Sequence, residues 1–157
     1  MAQTTTAENP LTRAALGFIA GFLATLVFHQ IALAILWGIG IAPHAPYSMA
    51  ATAPFGVPSV ISLAFWGGLW GILFVFIDSR FPAGGGYWAA AFVFGAIFPT
   101  LVALFIVVPL KGGAVGGGWR ALLWLTAILI NGAWGVGTGA FMRWEQRLIG
   151  VDRSASV

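Results

Sequence analysis

His29 is the one titratable side chain well inside a long apolar run of this sequence, and Gln30 follows it directly. An imidazole at such a position has two readings. It can be a neutral hydrogen-bonding group that ties one helix to another, or it can bind a ligand, relay protons or ligate haem, because burying an ionisable group is costly unless it serves a purpose. The remaining deep polar side chains with comparable reach are Thr100, beside Pro99, and Asn131, beside Gly132. Asn131 carries two donors and an acceptor, and its expected partners are His29, Gln30, Thr100 or the Gly95 carbonyl that Pro99 leaves without an N–H donor. His29, Gln30, Thr100 and Asn131 are therefore the candidates for a ligand site or proton path. The plainer reading of each is glue between helices.

Little else could do chemistry. No cysteine is present, which removes thiol catalysis, thiolate metal sites and disulfides. No Asp, Glu, Lys or Arg lies deep in an apolar run, and no nucleophile–base pair, metal-ligand cluster or phosphate loop is visible. The lone loop histidine, His44, lacks the convergent ligands a metal needs. No catalytic residue and no metal site are predicted, and a cofactor is not expected. Haem on His29 is a remote alternative, requiring a second copy to supply the other axial ligand.

The elements that must hold these residues are set by composition. Of 157 residues, 7% are charged and 60% hydrophobic, against about 25% charged in an ordinary soluble domain. Four apolar stretches predict an all-α membrane protein with transmembrane helices at about 13–40, 58–77, 87–110 and 119–142. Each is near or above the ~20 residues that cross a bilayer. Each also has its least apolar or least helical residues near its middle, which predicts that His29-Gln30, Gly67-Gly68, Pro99-Thr100 and Asn131-Gly132 share a depth. Residues 1–12 read as a disordered tail with Thr12 as the first cap, and residues 143–157 as a polar tail opening with a short surface helix. The loop from Gly40 to Val57 has three prolines and no charged residue, so it should lie on the membrane as a lid over the helix ends.

Small residues mark how the helices meet. Gly17, Gly21 and Thr25 share a face with His29. Gly67 and Gly71 mark the second span, Gly95 the third, and Asn131, Gly135 and Gly139 the fourth. Such stripes let backbones approach closely. A faint repeat sets Gly67-Gly-Leu-Trp-Gly71 against Asn131-Gly-Ala-Trp-Gly135, and Phe28-His-Gln against Phe98-Pro-Thr. It predicts two parallel helical hairpins related by a pseudo-two-fold along the membrane normal. Asp78, Arg80 and Arg143 are expected to form an interfacial ion pair, since a carboxylate is unfavourable beside a helix C-terminus.

Basic residues number five on the side of the termini (Arg13, Arg80, Arg143, Arg147, Arg153) and two on the other (Lys111, Arg120). That bias predicts cytoplasmic termini. No basic run tracks a phosphate backbone, so nucleic acid is not an expected partner. With Phe28-His29-Gln30 and the proline-rich loop as its least generic pieces, the chain resembles the small four-span inner-membrane proteins of proteobacteria. The resemblance implies a bacterial inner-membrane location and no activity. The expected role is a non-enzymatic accessory or self-associating subunit of a membrane assembly, with the lipid bilayer and a homo-oligomer or larger complex as partners. The alternative is an oligomeric small-solute or proton-linked transporter or channel built around His29.

Overall fold

The computed structural model describes residues 9–148, and the remaining parts of the two expected tails lie outside them. Four helices are long and apolar enough to cross a membrane. We label them α1 (Pro10–Gly38), α2 (Ser59–Ile77, extended by a 3-10 turn over Asp78–Arg80), α3 (Gly85–Leu110) and α4 (Ala121–Leu148). The fold is an all-α transmembrane bundle.

Where the helix ends differ from the sequence reading, local chemistry explains it. Asn9, rather than Thr12, caps α1: its Oδ1 accepts the Leu11 N–H at 3.0 Å, and Pro10 fills the first helical position, where an N–H would be idle. Residues 9–12 thus belong to the helix instead of a disordered tail. Residues 143–148 continue α4 without a break. α1 also contains a π-helical turn at Thr25–His29, and α3 another at Ala103–Val107, shortly after Pro99.

α1 packs closely on α2 and on α4, and α3 packs closely on α4. Glycine makes the approach possible. A Cβ on Gly17 would lie 2.6 Å from the Gly71 carbonyl oxygen, and one on Gly71 would lie 3.0 Å from the Gly21 Cα. A Cβ on Gly21 or Gly67 would collide with the Gly67 carbonyl or the Thr25 hydroxyl, respectively. The second hairpin repeats the device. Gly95 faces Asn131 and Gly135, and Gly135 faces Ala91 and Gly95. Even the flanking contacts recur, with the Phe18 ring over Gly68 in one hairpin and the Phe92 ring over Gly132 in the other.

These contacts keep the match of Gly67–Gly71 with Asn131–Gly135 and shift the other half of the repeat. Gly17, Phe18 and Gly21 correspond to Ala91, Phe92 and Gly95, which sets Phe28 against Val102, one helical turn beyond Phe98. The likeness lies inside the hairpins and not in how they meet. α1 and α4 meet through the Trp134 indole on the Gly21 carbonyl and the Phe28 ring against Gly137, whereas α2 and α3 are joined through rings: Phe74 and Trp70 stand edge-on to Phe94 at 5.5 and 6.3 Å, and Phe81 inserts between Phe74 and Tyr87.

The turn between α3 and α4 winds left-handed. Gly116, Gly117, Gly118 and Trp119 all have φ between 57° and 67°. Only the glycines take this without a Cβ penalty. Trp119 is held there by stacking on Trp124, 5.5 Å away and 10° from parallel. The Trp124 indole in turn donates to the Gly116 carbonyl at 2.9 Å.

Candidate functional site

The α1–α2 register fixes the depth of His29. Gly21 lies against Gly67, and the two helices run antiparallel. Eight residues beyond Gly21 is His29, and eight before Gly67 is Ser59, the first residue of α2. His29 is therefore about level with the start of α2. From Ser59 to Arg80 is 22 residues, roughly 33 Å of helix, which matches a ~30 Å hydrocarbon layer. His29 and Gln30 thus sit at the edge of that layer, on the side away from the termini, and not at its midplane. The expected shared depth fails for this pair because α1 is longer than α2 and extends past it. Centring on the apolar run of α1 overstates how deep its polar step lies.

The segment before α2 fills the space beside the projecting end of α1. Gln30 is 2% exposed, and its Oε1 accepts the Tyr47 N–H at 2.7 Å. The Tyr47 hydroxyl donates to the Leu26 carbonyl at 2.9 Å, within the π-helical turn. That turn shifts the helical pairing, the Gln30 N–H going to Thr25 and Val27, and so leaves the Leu26 carbonyl open to a loop donor. Tyr47 makes both bonds from a left-handed backbone, φ 53°. Farther along, Ala51–Thr52 pairs antiparallel with Val57–Pro58, and the carbonyls of Ser48 and Ala50 accept the first N–H groups of α2. The proline-rich segment is thus latched to the side of α1 instead of lying only over the helix ends.

His29 is buried at 5% exposure, and its Nδ1 lies 3.4 Å from the Gln30 Nε2. The protonation pattern follows. Gln30 Oε1 is committed to a backbone donor, so its amide nitrogen must face His29. An NH2 group only donates, hence Nδ1 accepts and the proton of the neutral ring sits on Nε2. A haem iron would need a free lone pair on one of these nitrogens. With Nδ1 accepting from Gln30, an iron would have to bind at Nε2, with the ring proton moved to Nδ1 and the Gln30 amide turned away.

Removal of the latch has a measurable consequence. Gln30→Leu leaves the Tyr47 N–H without its acceptor, at a cost of about 1–3 kcal/mol. In proteoliposomes, chymotrypsin should then cut after Tyr47 or Phe55 roughly tenfold faster or more. An unchanged rate would mean the segment is held by something other than Gln30.

Thr100 and Asn131 form a second, separate group. Asn131 Nδ2 donates to Thr100 Oγ1 at 2.9 Å, and that hydroxyl donates to the Ala127 carbonyl at 3.2 Å. Of the partners expected for Asn131, Thr100 is the one it uses. Gln30 serves a loop and not a second helix. Among the described residues no hydrogen bond joins the His29–Gln30 pair to the Thr100–Asn131 pair. A groove of about 170 Å3 passes over Thr100, lined otherwise by Ala96, Ile97, Leu101, Trp124 and Ile128. Its walls are almost wholly apolar.

Trp134 is a junction residue that the sequence marks only as a deep tryptophan. It is 2% exposed, its indole N–H donates to the Gly21 carbonyl at 2.9 Å, and its ring stands edge-on to Phe74. It ties α4 to the glycine seam of the other hairpin. Gly139, also expected on a seam, lies against the Tyr87 ring.

At the end bearing the termini, the arginines also meet backbone carbonyls and ring faces. Arg80 donates to the Phe76 carbonyl at 3.3 Å, and Arg13 to the Val75 carbonyl at 2.7 Å. Both answer carbonyls that the end of α2 leaves open. The Arg143 guanidinium lies over the Tyr87 ring at 3.8 Å and near Trp88 at 4.8 Å, a cation–π arrangement. Asp78 is buried.

No family model, curated protein or solved structure matches this chain. Its own residues are what a functional reading has to stand on.

Proposed function

We propose that the protein is a non-enzymatic subunit of a bacterial inner-membrane assembly, with cytoplasmic termini, acting through lateral association within the bilayer. The observation that carries this reading is the way the interior is used. Both hairpins close backbone to backbone on glycine, and the donors of the Thr25, Thr100 and Trp134 side chains and the Asn131 amide N–H are answered from within the chain. A path for a solute or proton would draw His29, Gln30, Thr100 and Asn131 together, whereas they serve two separate groups. The basic bias toward the side of the termini supports the orientation.

Blue-native electrophoresis of membranes solubilised in a mild detergent tests the reading. The protein should migrate in an assembly larger than one chain. A strictly monomeric species with no co-purifying protein would overturn it.

A further inference from the structure

Three of the hydrogen-bonding side chains of α2, Ser59, Ser62 and Trp66, lie on the helix face opposite its glycine seam. Trp66 is 59% exposed. It lies about 18 Å along the helix from Asp78, inside a hydrocarbon layer of ~30 Å. The indoles of Trp124 and Trp134 donate to backbone carbonyls, but among the described residues Trp66 has no acceptor. Lipid tails offer none, so the donor is open to an acceptor on a neighbouring chain.

The same face indicates which chain. Helical side chains lean toward the N-terminus of their helix, so the Trp66 indole lies over the level of Ser62, whose hydroxyl can accept. Donor and acceptor therefore share one patch at one depth, as a two-fold interface between identical surfaces requires. Ser59, Ser62, Trp66, Leu69, Leu73 and Phe76 are spaced by alternate steps of three and four, the spacing at which two helices pack at a shallow angle. Leu69, Leu73 and Phe76 are 38%, 46% and 40% exposed, so the apolar part of the stripe is open.

We propose that α2 is the contact helix of a homodimer, its outer stripe packed on the same stripe of a second copy and each Trp66 indole N–H donating to the partner's Ser62 hydroxyl. This rests on the association reading above and names the surface that performs it.

The chain has no cysteine, so single cysteines report proximity directly. Leu69→Cys, Leu73→Cys and Val93→Cys are compared in native membranes under copper–phenanthroline oxidation. Val93 is 51% exposed on α3 and serves as the reference. Disulfide-linked dimers are expected at Leu69→Cys and Leu73→Cys and not at Val93→Cys. Adding Trp66→Phe to Leu73→Cys should weaken the association roughly threefold or more. Linkage at Val93→Cys alone, linkage at none of the three, or a yield unchanged by Trp66→Phe would each overturn the proposal. A large native assembly without linkage at Leu69→Cys and Leu73→Cys would remove this interface and keep the association reading. A monomer would remove both.

Discussion

Gly21→Leu is expected to be strongly destabilising. The Cβ alone would collide with the Gly67 carbonyl and come within 2.9 Å of the Gly71 Cα. Both obstacles are backbone, so no rotamer change relieves them, and α1 must move away from α2. Overpacking a core typically costs about 1–3 kcal/mol and occasionally more. This seam belongs at the upper end, because separation also breaks the Trp134–Gly21 hydrogen bond. Gly38→Leu is the matched control, since a Cβ there meets nothing within 4 Å. Thermal unfolding in detergent, followed by circular dichroism, should show a large drop for Gly21→Leu and little change for Gly38→Leu. Because the second hairpin is built the same way, Gly135→Leu should behave like Gly21→Leu. Equal stability of the Gly21 and Gly38 variants would mean that the helices do not meet on glycine.

Trp134→Ala should have an effect at least as large. Emptying a buried tryptophan site costs about 3–5 kcal/mol, and this one joins α4 to α1 and to the ring cluster of Phe74 and Phe94. Trp134→Phe separates the two contributions. It keeps most of the ring contact and removes the N–H, whose loss costs about 1 kcal/mol. The Gly21 carbonyl remains served by the Thr25 hydroxyl and N–H, so the smaller figure is expected for the phenylalanine variant. Denaturation of the purified protein in mixed micelles would resolve the order: wild type, then Trp134→Phe, then Trp134→Ala. Indistinguishable alanine and wild-type midpoints would show that the indole is not a structural tie.

The sequence made the four spans and their small-residue faces legible, because lipid as solvent imposes both length and close approach. Gly17, Gly21, Gly67, Gly71, Gly95 and Gly135 can be named as packing positions without coordinates. Which of them meet cannot, since all four helices carry the same kind of stripe. The π-helical turn at Thr25–His29 has no proline or glycine to announce it. It opens the Leu26 carbonyl to Tyr47, and that bond draws a loop down beside α1. The depth of His29 was hidden for a related reason: it depends on where α2 begins, and the apolar run of α1 continues well past that level. The contacts of Arg13, Arg80 and Arg143 with open carbonyls and ring faces are not legible from charge alone, because they depend on where α2 ends and which rings face it.

The central claim is that the interior of this bundle is dry and closed. Thr100→Cys tests it most directly, as a near-isosteric change at a side chain only 1% exposed. Right-side-out and inside-out vesicles would be treated with a membrane-impermeant thiol reagent, with Met49→Cys, at a loop position 68% exposed, as the reactive reference. The account predicts that Met49→Cys is modified and that Thr100→Cys is modified from neither side. Rapid modification of Thr100→Cys from either side would reveal water at the heart of the bundle and contradict it.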